Sequence, residues 1–409
     1  MVDGNVYDIT GWVNRHPGGD VIATLAGEDA STLFHSSHLD QRAREALEPL
    51  KIGEVQNYRP DFKTVNDDFY STLKRRVADY FARNNINHHD TGRNQRRVLL
   101  SAALLFLCWA CIYLFPPWGG LAVIPMGLLT CSLVGTFGHE QIHGNLDLFG
   151  RRTVLSRLAN DIAWGLMIPF MPERFFQYEH IRHHHYSLHP DHDYDVFALR
   201  GLVRLSPLME RKRHHAFQHL YAPLVYGFYI FLQLLSGYTS DFFSRRELLK
   251  DKGVLRGIVI SSITAALFYV AIPIYLTDPW WTLACSGSYF FIWQSAIYVT
   301  SGLPHMTDPD AVPDSSGSWA FHVCRTTKDL KCGNRFYDWL TGGLNYHLEH
   351  HLLPTVPRDY LPRIRHIVRD VCGEFGYPFH TYDSFTSYYM DHYRFLVKLG
   401  SPPVRQAAP

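Results

Sequence analysis

The chain has 409 residues, with 39 Lys+Arg against 38 Asp+Glu, 46% hydrophobic residues and only 19% charged ones. The balanced charge argues against a nucleic-acid or other polyanion partner, and so little charge is too sparse for a wholly soluble surface, which points to a membrane. Seven cysteines are scattered, with Cys108, Cys111, Cys131 and Cys285 inside apolar runs, so they read as small buried residues and no disulfide framework is expected.

In chain order, residues 1–97 are polar, and the opening MVDGNVYDIT is not that of a cleavable signal peptide. Within this region, Phe69, Leu73, Val77 and Phe81 repeat at helical spacing beside a basic face. A helix over 67–83 is expected to lie on the membrane surface. Four uncharged stretches then approach the roughly 20 apolar residues a bilayer requires: about 98–115, 118–138, 257–277 and 279–304. Short turns join them in pairs, so they read as two helical hairpins. Neither joint carries Lys or Arg. Basic residues gather at the other ends: Arg93, Arg96, Arg97; Arg151, Arg152; Arg245, Arg246, Lys250, Lys252, Arg256; and Arg325, Lys328, Lys331, Arg335. The positive-inside rule puts both termini and the middle loop in the cytoplasm, with Trp118, Trp280 and Trp281 at the opposite interface. A fifth uncharged stretch, Leu220–Ser240, contains Pro223 and Gln233 and is expected to stay at the cytoplasmic interface.

Histidine is abundant, with 24 in the chain, and three groups stand out. His139 and His143 close the second apolar stretch as HEQIH. His180, His183 and His184 form HxxHH, and His347, His350 and His351 form a second HxxHH. On a helix, positions i, i+3 and i+4 share a face, so each group can aim two or three imidazoles at one centre. Neutral imidazole suits iron, copper and zinc. All three groups fall on one side of the membrane if Leu220–Ser240 does not cross. His139, Glu140 and His143 also match HExxH of zinc metalloproteases, but a zinc site needs one further ligand rather than six.

These boxes, their order, the two hairpins and GGLNYHLEHHLLPTVPR resemble the membrane fatty acid desaturase family over about residues 67–375. The resemblance implies a mainly α fold: four transmembrane helices beneath a cytosolic helical cap, holding two iron ions. The implied ligands are His139, His143, His180, His183, His184, His347, His350 and His351. His305 stands where the family carries a ninth, with Ser301 where the family has Asn. Asp193 and Asp195 match the family's acidic pair after the second box and would orient ligand imidazoles. His322 would be a supporting residue. An alternative frame uses His184 and His185.

Residues 5–55 contain VYDITGWVNRHPGGDVI, AGEDASTLFHSSH and KIGEV and resemble cytochrome b5, a small α+β haem domain. His16 and His38 would be the axial ligands of haem b, with His35 competing for the second place. The resembled domain has a further strand and helix ahead of VYDIT, so this module is expected to lack one wall of the haem pocket. The implied organisation is a haem module at 1–57, a linker and surface helix at 58–97, a desaturase domain at 98–375 and a tail at 376–409.

Together the resemblances imply an O2-dependent di-iron desaturase that introduces a double bond into a long-chain fatty acyl substrate, as acyl-CoA or lipid-linked. Electrons would come from an NADH-dependent cytochrome b5 reductase through the fused haem. The implied location is the endoplasmic reticulum membrane, with the site cytosolic. The arrangement is similar to front-end and sphingoid-base desaturases, whose third box usually starts with Gln where this chain has His347. A sphingoid-base desaturase and a fatty acyl hydroxylase are alternatives of the same iron chemistry, and the zinc protease is a remote one.

Overall fold

Two apolar hairpins form the frame. The computed structural model describes residues 1–17, 19–39, 42–60, 62, 65–150, 153–239, 252–311 and 317–402. Among these, Gly92–Leu114, Trp118–Ile142 and Lys252–Leu276 are long and apolar enough to cross a membrane. The fourth expected stretch is also helical, over Pro279–Ile297, and packs along Val123–Leu133. Its middle mixes aromatic rings with Ser286, Ser288, Gln294 and Ser295, which leaves it less apolar than the other three. At the hairpin tips Trp118 is 81% and Trp280 79% exposed, as rings in a membrane interface would be. Of the basic clusters, Arg151, Arg152, Arg245, Arg246 and Lys250 lie outside the described residues.

Polar side chains join the two hairpins where apolar burial alone gives little orientation. The Trp281 indole donates to the Ile112 carbonyl at 3.1 Å and the Trp109 indole to the Phe268 carbonyl at 2.9 Å. Tyr113 meets Ser286 at 2.7 Å, and Thr130 meets Tyr289 at 2.9 Å. The Leu220–Ser240 stretch is not one straight helix. Gln218–Tyr226 and Tyr229–Thr239 flank a 96° bend. Their 9 and 11 residues leave neither arm long enough to cross a bilayer by itself.

The helix expected on the membrane surface, Asp68–Arg83, is covered by protein instead. Phe69, Leu73, Val77 and Phe81 are all buried, in one cluster with Ile364, Ile367, Val368 and Val371 of the helix Leu361–Phe375. That partner offers an apolar stripe of its own, so the two faces close on each other. Arg76 pairs with both carboxylate oxygens of Glu374 at 2.6 and 2.7 Å beside this seam. Asp67 caps the helix by accepting from the Tyr70 amide.

The N-terminal module is a small α+β unit. Strands Asn5–Tyr7 and Lys51–Glu54 pair antiparallel, with Asn5 opposite Glu54, around the short helices Ser31–Ser37 and Arg42–Leu47. A parallel pair of two-residue strands, Asp329–Leu330 and Thr381–Tyr382, ties the cap to the segment that leads into the last helix, Phe385–Gly400.

One buried ion cluster fixes the third-box helix, His347–Leu352. Asp329 accepts from the Leu348 amide at 2.9 Å. Arg365 pairs with Asp329, with Glu349 at 2.6 Å and with the Thr381 hydroxyl at 2.5 Å. Both carboxylates are fully buried. Removing the guanidinium would leave two buried acids without a counter-charge. Arg365→Met is therefore expected to lower stability by about 3–5 kcal/mol, read as a lower thermal midpoint in detergent. An unchanged midpoint would refute this role for Arg365.

Candidate metal centre

The first box begins on the last residue of a π-helical turn, Val134–His139, and ends with His143 just after Trp118–Ile142. Such turns re-aim side chains at functional sites. The box is braced from behind: Gln141 donates to Asn160 at 2.7 Å, Asn160 to Glu173 at 2.6 Å, and Gln177 to the Ile142 carbonyl at 3.1 Å. The second box lies on the helix Glu173–Tyr186. Close approach of two glycines brings the third box in. A Cβ on Gly342 would stand 2.6 Å from the Gly135 Cα, and one on Gly135 2.4 Å from the Thr341 carbonyl oxygen. Gly342 and Gly343 also hold φ of +63° and +90°, which disfavour other residues.

The structure brings all nine predicted imidazoles together in two adjoining groups. His139, His143, His180, His184 and His350 form one, and His183, His305, His347 and His351 the other. Within each group the ligand atoms lie within 4.8 Å of one another. His184 and His351 stack across the boundary with ring centres 4.1 Å apart. Each HxxHH box is thus split, rather than aimed at one centre. Residues four apart on a helix diverge by about 40° around its axis, and residues three apart by about 60° the other way. His180 and His184 therefore stay together while His183 turns aside. His347 and His351 stay together while His350 turns aside.

The donor set fits cations. His305 Nδ1 meets the Thr326 carbonyl at 3.1 Å, His347 Nδ1 the Leu344 carbonyl at 3.0 Å, and His183 Nδ1 the Asp193 carboxylate at 3.0 Å. These oxygens only accept, so each Nδ1 carries the proton. The Nε2 atoms of His305 and His347 then present lone pairs to each other at 2.9 Å, with His183 Nε2 at 3.1 Å from His305. Facing lone pairs repel unless a cation lies among them. In the other group His184 Nε2 is 3.0 Å from both His180 and His350. His139 Nε2, His143 Nε2 and both nitrogens of His351 have no hydrogen-bond partner among the described residues.

Burial holds His143 and His347 at a pKa of about 3 and pushes His180, His184, His350, His351 and His305 well below the ordinary range. They are neutral at pH 7, the form that binds metal. His183 differs. Burial opposes its charge, but the Asp193 and Asp195 carboxylates outweigh that and raise it to about 9.

Asp193 is fixed in turn by the Leu188 amide at 2.7 Å, and Asp195 lies 3.5 Å from His183 Nδ1. His322 meets the Ser187 carbonyl at 3.0 Å, supporting the end of the second-box helix rather than an imidazole of the cluster. His185 joins neither group and packs against Phe62. Ser301 returns its hydroxyl to the Ile297 carbonyl at 2.8 Å. Glu140 accepts from the Arg358 amide at 3.2 Å, a commitment that does not suit the general base of an HExxH protease.

Tyr229 and Gln233 were not anticipated from the sequence. Tyr229 donates to Asp195, and Gln233 donates to Asp195 at 3.1 Å and to the Tyr229 oxygen at 2.8 Å. Their spacing of four in an uncharged stretch was the available signal. Both border a narrow cavity that runs from His139, His180, His183 and His347 between the apolar side chains of Met171, Phe176, Ile230 and Ile297.

In the N-terminal module, His16 and His38 face each other with ring centres 6.1 Å apart. With metal–nitrogen bonds of about 2 Å, imidazoles on opposite sides of one iron have ring centres roughly 6 Å apart. His38 Nδ1 meets the Phe34 carbonyl at 2.7 Å, an acceptor that assigns the ring proton to Nδ1. His35, the competitor, is engaged by Asp3 at 3.0 Å. Gly18 of the HPGG motif lies outside the described residues.

Comparison with known proteins agrees with both modules. Residues 116–383 match the fatty acid desaturase family model, and residues 1–56 match the cytochrome b5-like heme/steroid binding domain. An acyl-lipid (8-3)-desaturase B of Dictyostelium discoideum is 27% identical, covering 98% of this chain and 91% of its own. An acyl-lipid (8-3)-desaturase of Physcomitrium patens is 26% identical, covering 98% and 88%. An sn-1 linoleoyl-lipid 6-desaturase of Arthrospira platensis is 26% identical, covering 83% and 94%. The chain belongs to the fatty acid desaturase family, an oxidoreductase with a cytochrome b5-like domain at its N-terminus.

Proposed function

We propose that this chain is an O2-dependent di-iron desaturase that introduces a double bond into a long acyl chain carried on a lipid. The carrying observation is the convergence of nine imidazoles, all but His143 buried, in two adjoining groups, with the Nε2 lone pairs of His305 and His347 turned toward each other. Two irons bound by these groups would supply O2 activation and removal of hydrogen from two adjacent methylenes. The acyl-lipid names of the relatives support a lipid carrier over coenzyme A.

The protein's own part is to hold, orient and keep dry. Carbonyls of Leu344 and Thr326 and the Asp193 carboxylate fix the tautomers of His347, His305 and His183. Met171, Phe176, Ile230 and Ile297 give the cavity an apolar wall that would exclude water and grip methylenes. His16 and His38 would hold haem b as an electron carrier, fed one electron at a time by an NADH-dependent reductase. The proposed setting is a four-span protein of the endoplasmic reticulum, with the site and both termini cytosolic, as the distribution of Lys and Arg favours.

The test is expression in a host that lacks such lipids, followed by mass analysis and double-bond location. The expected product is lighter than its precursor by two hydrogens. A product heavier by one oxygen would make the chain a hydroxylase instead. His350→Ala is expected to abolish the product, and its persistence would contradict the ligand assignment. Asp193→Asn should lower iron affinity or turnover by about 10–100-fold, measured as iron retained against a chelator. Full retention together with full turnover would show that Asp193 does not support His183 as an iron ligand.

A further inference from the structure

The haem module meets the desaturase domain through specific contacts, and these gather around the proposed haem ligand His38. Thr355 donates its hydroxyl to the Ser37 carbonyl at 3.0 Å. Ser37 immediately precedes His38, and Thr355 comes four residues after His351. On the other side of His38, Leu39 packs against the buried cap cluster that contains Leu352, Leu353 and Val356. The Ser37 carbonyl is thereby tied to the loop that leaves the third box, while Leu39 rests on the cap. Two further contacts flank it. Lys74 reaches the His35 carbonyl at 3.3 Å. Arg182 pairs with Glu28 and also donates to the Tyr178 hydroxyl at 2.7 Å. Arg182 is on the second-box helix, between His180 and His183 in sequence.

We infer that this contact is the electron passage from the haem module to the metal site: the Thr355–Ser37 hydrogen bond connects the His38 side of the haem module to the third histidine box, and the Glu28–Arg182 pair holds the two domains in that register. The inference rests on the haem and metal reading above. The covalent path from Ser37 to His38 and the path from Thr355 back to His351 are short, with one hydrogen bond between them. The ion pair is half-buried, with the Arg182 side chain 11% and the Glu28 side chain 40% exposed, so it acts as a clamp with a defined partner. The electron count closes. Each passage takes one electron from the haem and gives one to the metal site. Two passages, with the two electrons and two protons of the substrate's two C–H bonds and two solvent protons, reduce one O2 to two waters.

Thr355→Val removes the hydroxyl at nearly constant volume. The test uses the full-length chain in detergent, its haem reduced beforehand, mixed with O2 and acyl lipid, with His183→Ala as the background. Thr355→Val is expected to slow haem oxidation several-fold and Thr355→Ser to restore it, while the haem spectrum and its rate of reduction by the reductase stay as in the parent. Amide exchange over Ser31–Ser37 should rise in Thr355→Val. Glu28→Arg and Arg182→Glu should each slow the oxidation, and the swapped pair should recover it. Oxidation at the parent rate in Thr355→Val overturns the proposed route, even with the domain reading intact. A swapped pair no faster than the single variants overturns the clamp. A parent chain that takes up haem but never oxidises it above background overturns the functional reading, and the inference with it.

Discussion

Everything in this protein is arranged around a repulsion. Neutral imidazoles are buried with their unprotonated nitrogens about a hydrogen bond apart, and at least two of those nitrogens have no proton to share. Burying polar nitrogen without a partner costs free energy on the order of a hydrogen bond or more each. A set of this size is stable only when cations take the centre or when the surrounding structure holds the rings apart by force. The scaffold is built for the second task and becomes comfortable with the first.

That scaffold works from outside inward. Backbone carbonyls and one carboxylate hold the outer nitrogens of His183, His305 and His347. Behind them, the elements carrying these groups are fixed in turn: the third-box helix by the Asp329–Arg365–Glu349 cluster, the first box by the Gln141–Asn160–Glu173 chain, and the turn before the third box by paired glycines. These networks lie at the ends of the apolar helices, where their buried polar groups are paired with one another. Inside the helices, single hydroxyl, indole and amide hydrogen bonds serve as the glue.

Much of the site was legible in the sequence because its spacing is helical. HEQIH and the two HxxHH boxes announce themselves as metal-binding groups, and HPGG with His38 announces a haem domain. The split of each box between two groups follows from helix angles, yet the sequence alone does not say that imidazoles from the other boxes gather on either side of the helix face. His305 was expected from resemblance only; no local pattern marks it, because its place depends on how the end of Pro279–Ile297 and the Thr326 carbonyl meet. Tyr229 and Gln233 escaped because a polar pair in an apolar stretch reads equally well as an interfacial helix. The Asp68–Arg83 helix was misplaced for a related reason. An amphipathic pattern says that a face is covered but not by what, and here the cover is the cap.

Nine histidines in two groups of this geometry are proposed to hold two metal ions of one kind. Elemental analysis of the purified full-length chain, corrected for haem iron by its absorbance, tests this directly. About two non-haem irons per chain are expected, falling in variants that remove a histidine from either group. One zinc per chain with no non-haem iron, or iron bound in the same amount after His183 and His350 are both replaced by alanine, would contradict it.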